Sequence, residues 1–186
     1  NVFNSDEDKG ILLQKIEELK KGLNFNFLGY VVMDNHYHLL LQTKEEPLSK
    51  IMHRLNNYYS RSFNKRYSRS GHVFGGRYKA SLIQDEGYLL AVLRYIHWNP
   101  VKAGLSRTSA GYRWSSDYCY RNNAQGLIDI DLILNILTTD RQKAVREYKK
   151  LMLIDDAWNY EEASIIGEES FVEAMKKSKV NEKKRK

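Results

Sequence analysis

Two histidines separated by one residue are the first feature of this sequence that could do chemistry. His36 and His38 lie between the apolar runs 31–33 and 39–41, which lack the 3.6-residue period of a helix and therefore favour strands. Residues two apart on a strand point to the same face, so the two imidazoles would lie side by side. Such a pair can bind one metal ion, although two histidines packed in a sheet without any ligand would give the same pattern.

A tyrosine and an asparagine further along the chain could complete such a site. Tyr95 and Asn99 are four residues apart in a predicted helix, so they lie on one helical face with their Cβ atoms about 6 Å apart. A tyrosine can attack a phosphodiester when a divalent ion polarises the phosphate. Two imidazoles and the amide oxygen of Asn99 suit Mg²⁺ or Mn²⁺ better than a closed zinc site. Cys119 is the single cysteine, so a zinc-type cysteine pair is excluded.

Other tyrosines compete with Tyr95 for the role of nucleophile. The chain contains 13 tyrosines, and Tyr95 is preferred because Asn99 lies one helical turn away from it. His97 is two residues from Tyr95 and is expected to face elsewhere as a structural residue. The main rivals of Tyr95 are Tyr58, Tyr59 and Tyr88.

Positive charge is concentrated in one part of the chain. The formal net charge is +7, and residues 47–79 contain eight Lys or Arg and no Asp or Glu. A solvated surface normally mixes both signs, so an acid-free stretch of this length favours a polyanion, here nucleic acid, as partner. The side chains expected to contact DNA are those of Lys50, Arg54, Arg61, Lys65, Arg77 and Lys79.

Helices and strands predicted from the sequence would position these residues. Ser5 and Asp8 form a capping-box pattern at the start of the first helix, and Gly22 is expected to end it. Asn99 and Pro100 are expected to end the last helix of this region. The predicted elements are a helix over 5–21, strands over 26–33 and 36–42, a helix over 47–66, a strand over 73–83 and a helix over 86–98.

This order of elements predicts an α+β fold. One additional strand before residue 1 would give β-α-β-β-α-β, the ferredoxin-like split βαβ antiparallel sheet with helices on one face. We therefore expect the first strand to be missing from this chain. Beyond residue 125, apolar residues at helical spacing predict three more helices, over 129–137, 140–153 and 168–179.

Composition excludes a membrane-spanning chain, because the longest apolar runs are far too short to cross a bilayer. A single cysteine also rules out an internal disulfide and fits a reducing compartment. We therefore expect no membrane partner and a cytoplasmic location.

Several segments together resemble a known family. The segment from His36 to His38 resembles the HUH motif, and the run 95–104 is similar to the tyrosine helix of single-tyrosine HUH transposases. The runs 71–79 and 114–116 are also similar to that family, so the resemblance covers about residues 5–120. Its nearest likeness is to the REP-associated tyrosine transposases, which are bacterial relatives of the insertion-sequence 200 type.

The resemblance implies a role for each candidate residue. His36 and His38 would be metal ligands, Asn99 would take the place of a polar third ligand, and Tyr95 would be the nucleophile. Such enzymes cut single-stranded DNA beside hairpins, become linked to the 5′ phosphate and need no ATP. The resemblance also implies a nucleoid-associated bacterial protein, with a homodimer as one possible state.

Two positions depart from the family pattern. Tyr37 fills a place where a bulky apolar residue is usual, and Asp34 replaces an expected proline. The expected division of the chain is a catalytic domain over 1–125, a helical extension over 126–180 and a disordered basic tail over 181–186.

Two other functions are consistent with the same residues. A domesticated nucleic-acid-binding protein would keep the fold and the basic surface without catalysis. A metal-dependent hydrolase would use activated water in place of Tyr95. Tyr95→Phe separates these three functions, because only the tyrosine-dependent enzyme loses cleavage while it retains DNA binding.

Overall fold

A computed structural model describes residues 1–154, 160 and 163–184 of the chain. A short 3₁₀ turn over Ser109–Gly111 accompanies the regular elements. The helices are α1 (Asp6–Leu23), α2 (Leu48–Arg66), α3 (Glu86–Lys102), α4 (Asp117–Arg121), α5 (Ile130–Leu137), α6 (Arg141–Leu151) and α7 (Glu169–Lys184), and the strands are β1 (Asn26–Val32), β2 (Tyr37–Gln42), β3 (Leu82–Ile83) and β4 (Ile165–Ile166). This mixture confirms the α+β class.

Helix α1 begins with the predicted capping box. Ser5 Oγ accepts a hydrogen bond from the Asp8 backbone nitrogen at 3.3 Å, and Asp8 Oδ2 accepts one from the Ser5 backbone nitrogen at 3.1 Å. The predicted stop at Gly22 is wrong, because the helix continues to Leu23 and ends at Asn24, whose φ is 45°. Asparagine tolerates this left-handed conformation, and one more residue brings Leu23 into the core.

Strands β1 and β2 form the predicted antiparallel hairpin. Val31 pairs with His38, and a register shift lies between Phe27 and Gly29. A Cβ atom on Gly29 would lie 2.6 Å from Leu93 Cδ1, so glycine allows α3 to approach the strand closely. Consecutive residues of β1 are buried, and because neighbours point to opposite faces, both faces of this strand are covered.

The edge of β1 that faces away from β2 is hydrogen-bonded to later parts of the chain. Val32 N donates to Trp114 O at 2.9 Å, and Ser116 N donates to Tyr30 O at 3.0 Å. Asp129 N donates to Phe27 O at 2.9 Å. Within the described residues the hairpin forms a two-stranded sheet, and the ferredoxin-like arrangement with a preceding strand stays a prediction.

The predicted strand over 73–83 is wrong. Only Leu82–Ile83 is extended and paired, and it pairs in parallel with Ile165–Ile166 rather than with the hairpin. The alternating pattern predicts that Tyr78 and Leu82 face the core, yet both are exposed. Alternation alone does not form a strand, because the segment also needs a neighbour for its backbone groups.

Helix α3 continues through Pro100 to Lys102, so the predicted end at residue 98 is wrong. A proline lacks one helical hydrogen bond, but its φ is compatible with a helix. Leu93, Ile96 and Pro100 are all buried, so the packing of α3 stabilises the turn that the proline weakens.

The three helices predicted beyond residue 125 are present, as α5, α6 and α7. Ile130, Ile133 and Leu134 of α5 and Tyr148 of α6 are fully buried. Helix α7 runs to residue 184, into the stretch predicted as a disordered tail, and residues 185 and 186 lie outside the described part. Among the described helices, none is both long and apolar enough to cross a membrane.

Candidate active site

The hairpin places the two histidines side by side, as the strand pattern predicts. The ring centroids of His36 and His38 are 5.0 Å apart and the ring planes are perpendicular. His38 belongs to β2, and His36 immediately precedes that strand. Both side chains are half-buried, so solvent reaches them only in part.

One ring nitrogen of His36 is available to a ligand. Asn35 Oδ1 lies 2.7 Å from His36 Nδ1, and because an amide oxygen only accepts, Nδ1 carries the proton and Nε2 carries the lone pair. The Nε2 atom is buried and has no hydrogen-bond partner within the described part of the chain. A buried acceptor without a partner costs free energy, and a bound cation would offset that cost.

Tyr37 lies between the two histidines in sequence but points to the other face of β2. Its hydroxyl donates to Asn56 Oδ1 at 2.6 Å, and its ring contacts Phe3 and Phe74 with centroid distances of 6.2 and 5.9 Å. Burial raises the pKa of Tyr37 to about 12, although the bond to Asn56 opposes the shift. The ring thus fills an apolar cluster, which explains why tyrosine is acceptable at this position.

The turn before His36 is held in place by an ion pair. Lys9 Nζ lies 2.7 Å from Asp34 Oδ1, and the lysine side chain is 8% exposed. Asp34 O also accepts hydrogen bonds from Val2 N and Phe3 N at 3.0 and 2.9 Å. Burial is the largest single effect and lowers the pKa of Lys9, but the hydrogen bonds and charge interactions with Asp34 and Tyr112 together outweigh it and raise that pKa. Asp34 therefore supports the turn where the family pattern has a proline.

Tyr95 lies against the histidine pair. Its ring centroid is 6.0 Å from that of His38 and 5.4 Å from that of Tyr160. Tyr95 is 8% exposed. Tyr59, a rival, is buried elsewhere, where its hydroxyl donates to Val2 O at 2.5 Å. Among the described ring contacts, His38 contacts Tyr95 and none of its predicted rivals.

Asn99 lies one turn beyond Tyr95 on α3, as predicted from the spacing. Its Nδ2 atom donates to Tyr95 O at 2.9 Å, so the amide oxygen is the atom with which Asn99 could bind a cation. The side chain is 6% exposed. Because Pro100 does not end the helix, Asn99 lies inside α3 and keeps its position relative to Tyr95.

The types of donor atom near Tyr95 bear on the predicted divalent ion. The described residues contain no cluster of three His, Cys, Asp or Glu side chains that could hold a metal, so a set built from His36 and His38 needs another type of third ligand. An amide oxygen from Asn99 would satisfy this requirement, and mixed nitrogen and oxygen ligands are compatible with Mn²⁺ or Mg²⁺.

The residues predicted to contact DNA are distributed over α2 and the loop that follows it. Lys50 is half-buried and pairs with Glu46 at 2.6 Å. The other five are exposed, and no carboxylate of the described residues lies within ion-pair distance of them. These five are Arg54, Arg61 and Lys65 on α2, and Arg77 and Lys79 in the loop.

His97 belongs to a buried hydrogen-bond network next to the candidate site. Tyr148 Oη donates to Asp117 Oδ1, so it accepts from His97 Nδ1, which lies 2.7 Å away. His97 Nε2 then accepts from Ser116 Oγ at 2.6 Å, and Arg121 pairs with Asp117 at 2.6 Å. Complete burial lowers the pKa of His97 to about 4, and Asp117 offsets this only in part.

The sequence predicts that His97 is structural, but it does not predict the hydrogen-bond network in which His97 lies. Tyr148 lies 51 residues from His97, and no local signal joins them. Lys9 was missed too, although a lysine among the buried positions of α1 was a signal that a carboxylate must lie nearby. Lys102 belongs to the run 95–104, and its ammonium lies over the Tyr95 ring, a contact that the sequence pattern does not indicate.

Comparison with known proteins identifies one related family. The family model described as "Transposase IS200 like" matches residues 1–99. The match therefore includes the histidine pair, Tyr95 and Asn99, whereas α4 to α7 lie beyond it. Comparisons with curated proteins and with solved structures give no match.

Proposed function

We propose that this chain, which belongs to the IS200-like transposase family, cleaves and rejoins single-stranded DNA beside hairpins with Tyr95 as nucleophile. Membership of the family connects the chain with transposition and with DNA cleavage. The observation that carries the proposal is the 6.0 Å contact between the rings of Tyr95 and His38, with His36 a further 5.0 Å from His38. A hydroxyl and two imidazoles are the groups that a tyrosine-dependent HUH enzyme requires.

The proposed cleavage exchanges one phosphate ester for another. Tyr95 Oη forms a bond to phosphorus, and the bond between phosphorus and the 3′ oxygen of the preceding nucleotide breaks. The phenolic proton is lost to solvent, and the departing 3′ oxygen takes up a proton. The products are a 5′-phosphotyrosine and a free 3′ hydroxyl, which can attack the phosphotyrosine to reverse the step without ATP.

His36, His38 and Asn99 are the proposed ligands of Mg²⁺ or Mn²⁺. When bound, the ion would neutralise charge on the phosphate oxygens. The side chains of the chain orient the site: Asn35 holds the proton on His36 Nδ1, and the imidazole of His38 contacts the Tyr95 ring. The lone pair of His36 Nε2 supports this assignment, because it has no other described partner.

The exposed basic side chains are the proposed path of the DNA backbone. Arg54, Arg61, Lys65, Arg77 and Lys79 are not neutralised by described carboxylates, so they can contact phosphates without first breaking an ion pair. Lys50 has to leave Glu46 to do the same, and we expect it to contribute least. The proposed substrates are hairpin ends of mobile or REP-type elements.

The central test is the covalent adduct. Hairpin oligonucleotides with single-stranded flanks, labelled at either end, are incubated with Mg²⁺ or Mn²⁺ and resolved on a denaturing gel. A labelled protein band is expected for the unsubstituted chain and for Tyr58→Phe, whose tyrosine is 40% exposed, but not for Tyr95→Phe. Cleavage that persists in Tyr95→Phe without an adduct would instead support hydrolysis by activated water.

Metal binding has its own readout. Mn²⁺ affinity measured by electron paramagnetic resonance should fall at least tenfold in His36→Ala, and it should not change in His53→Ala, a histidine that lies on the exposed side of α2. Equal affinity in the two variants would remove His36 from the proposed ligand set.

A second candidate function is DNA binding without turnover. The low exposure of Tyr95, 8% with the Tyr160 ring against it, favours this candidate, because so little of the tyrosine is accessible to a phosphate. If the unsubstituted chain binds the hairpins tightly but forms no adduct with either metal, this candidate replaces the enzyme.

A further inference from the structure

Lys102 lies over the ring of the candidate nucleophile. Its Nζ atom is 4.7 Å from the centroid of the Tyr95 ring, a distance at which a cation interacts favourably with an aromatic face. The lysine is exposed, and no carboxylate in the described ranges pairs with it. A positive charge that no described carboxylate neutralises is therefore held beside the tyrosine proposed to attack phosphate.

The helix itself brings this charge to the tyrosine. Lys102 follows Tyr95 by seven residues, so both lie on the face of α3 that also carries Asn99. Side chains on a helix tilt toward its N-terminus, which directs the long lysine stem back along α3. The prolonged helix is essential to this geometry, because a helix that ended at residue 98 would not place residue 102 on this face.

A lysine in the last turn of a helix has a simpler explanation, since cations there complement the helix dipole. That interaction would direct the ammonium toward the free carbonyl groups after residue 98. In Lys102 the ammonium instead extends back over a ring two turns earlier. The dipole explains why a lysine is acceptable at this position, but not the direction of its side chain.

We propose that Lys102 is a further catalytic residue, whose ammonium contacts a non-bridging oxygen of the phosphate that Tyr95 attacks. This inference rests on the proposed function. In the attack, phosphorus gains a fifth oxygen and the non-bridging oxygens gain negative charge, which a nearby ammonium stabilises. Lysine suits this role because its charge lies at the end of a flexible stem, which can move from the ring to the phosphate.

The test compares single-turnover cleavage with binding. Lys102→Met keeps most of the aliphatic stem and removes the charge. At saturating oligonucleotide, this variant should form the adduct about tenfold to a hundredfold more slowly. Its affinity for the hairpin should change less than about twofold. Lys102→Arg should recover most of the rate because it restores the charge. Lys149→Met, which removes an exposed lysine from the last turn of α6, should behave as the unsubstituted chain.

Two results would overturn the inference while the proposed function stands. Lys102→Met could cleave at the unsubstituted rate, or it could lose binding and cleavage in parallel, as an ordinary backbone contact would. If the unsubstituted chain forms no adduct at all, the proposed function fails first. The phosphate contact is then tested by titrating inorganic phosphate with Mg²⁺ present and following the ¹³Cε resonances of the lysines. A shift at Lys102 that exceeds the shift at Lys149 supports the contact, and equal or absent shifts overturn it.

Discussion

The buried imidazole of His97 should make the stability of the chain depend on pH. Its pKa is about 4 in the folded chain against an ordinary value of 6.5, so the unfolded chain binds a proton first as the pH falls. The contribution of His97 to the free energy of unfolding is therefore constant above pH 6.5, declines as the pH falls from 6.5 to 4, and is constant again below 4. Over that interval His97 lowers the free energy of unfolding by about 3 kcal/mol, of which about 2 kcal/mol is lost by pH 5.

The assay is urea unfolding of the unsubstituted chain and of His97→Gln at several pH values between 7.5 and 4.5. Glutamine can still donate and accept but does not titrate, so the variant should be less stable at pH 7.5 and should lose less stability on acidification. The difference between the two chains isolates His97, because the other titrating groups are common to both. If that difference is the same at pH 7.5 and pH 5, His97 is protonated or solvated in the folded chain, and the description of its network is wrong.

Two further substitutions test the close approach at β1 and the turn before the histidines, with unfolding free energies from urea titration as the measurement. Gly29→Ala should lower the free energy of unfolding by about 1–3 kcal/mol through overpacking, because its Cβ would lie 2.6 Å from a leucine methyl of α3. The control Gly22→Ala in α1 should be neutral or stabilising. Equal effects of the two substitutions would contradict the close approach. Lys9→Met should lower the free energy of unfolding by about 1–2 kcal/mol, because it leaves Asp34 without its ammonium partner. Lys15→Met removes a more exposed ion pair and is the control. A loss in Lys9→Met no larger than the loss in Lys15→Met would show that the Lys9 pair is weak.

The features that sequence reasoning predicted correctly depend on neighbouring residues. A capping box joins Ser5 to Asp8, three residues later, and a strand places His36 beside His38 by its period of two. The helical spacing that relates Tyr95 to Asn99 is equally local. In each case the geometry follows from backbone conformation alone, so a short window of sequence contains the whole signal.

The features that it missed depend on distant partners. The run 73–83 alternates apolar and polar residues like a strand, but only Leu82–Ile83 pairs, and its partner β4 lies more than 80 residues away. Pro100 signals a helix end, yet burial of its neighbours in the core outweighs that preference. The direction of Lys102 could be foreseen only once the helix was known to continue. A composition signal existed for Lys9, because lysines are rarely buried without a carboxylate.

The short pairing between β3 and β4 has a consequence for the order of folding. Ser81 bonds to Ala163, 82 residues later in the chain, and closing a flexible loop of that length costs about 4 kcal/mol in chain entropy. A parallel pair of two residues on each side cannot offset this cost alone. The contact becomes favourable only when α3 to α6 have already folded and shortened the loop, so it should form last and open first. Amide hydrogen exchange at Leu82 and Gln84, whose nitrogens bond to Ser164 O and Ile166 O, should accordingly be much faster than exchange at the paired amides of β1.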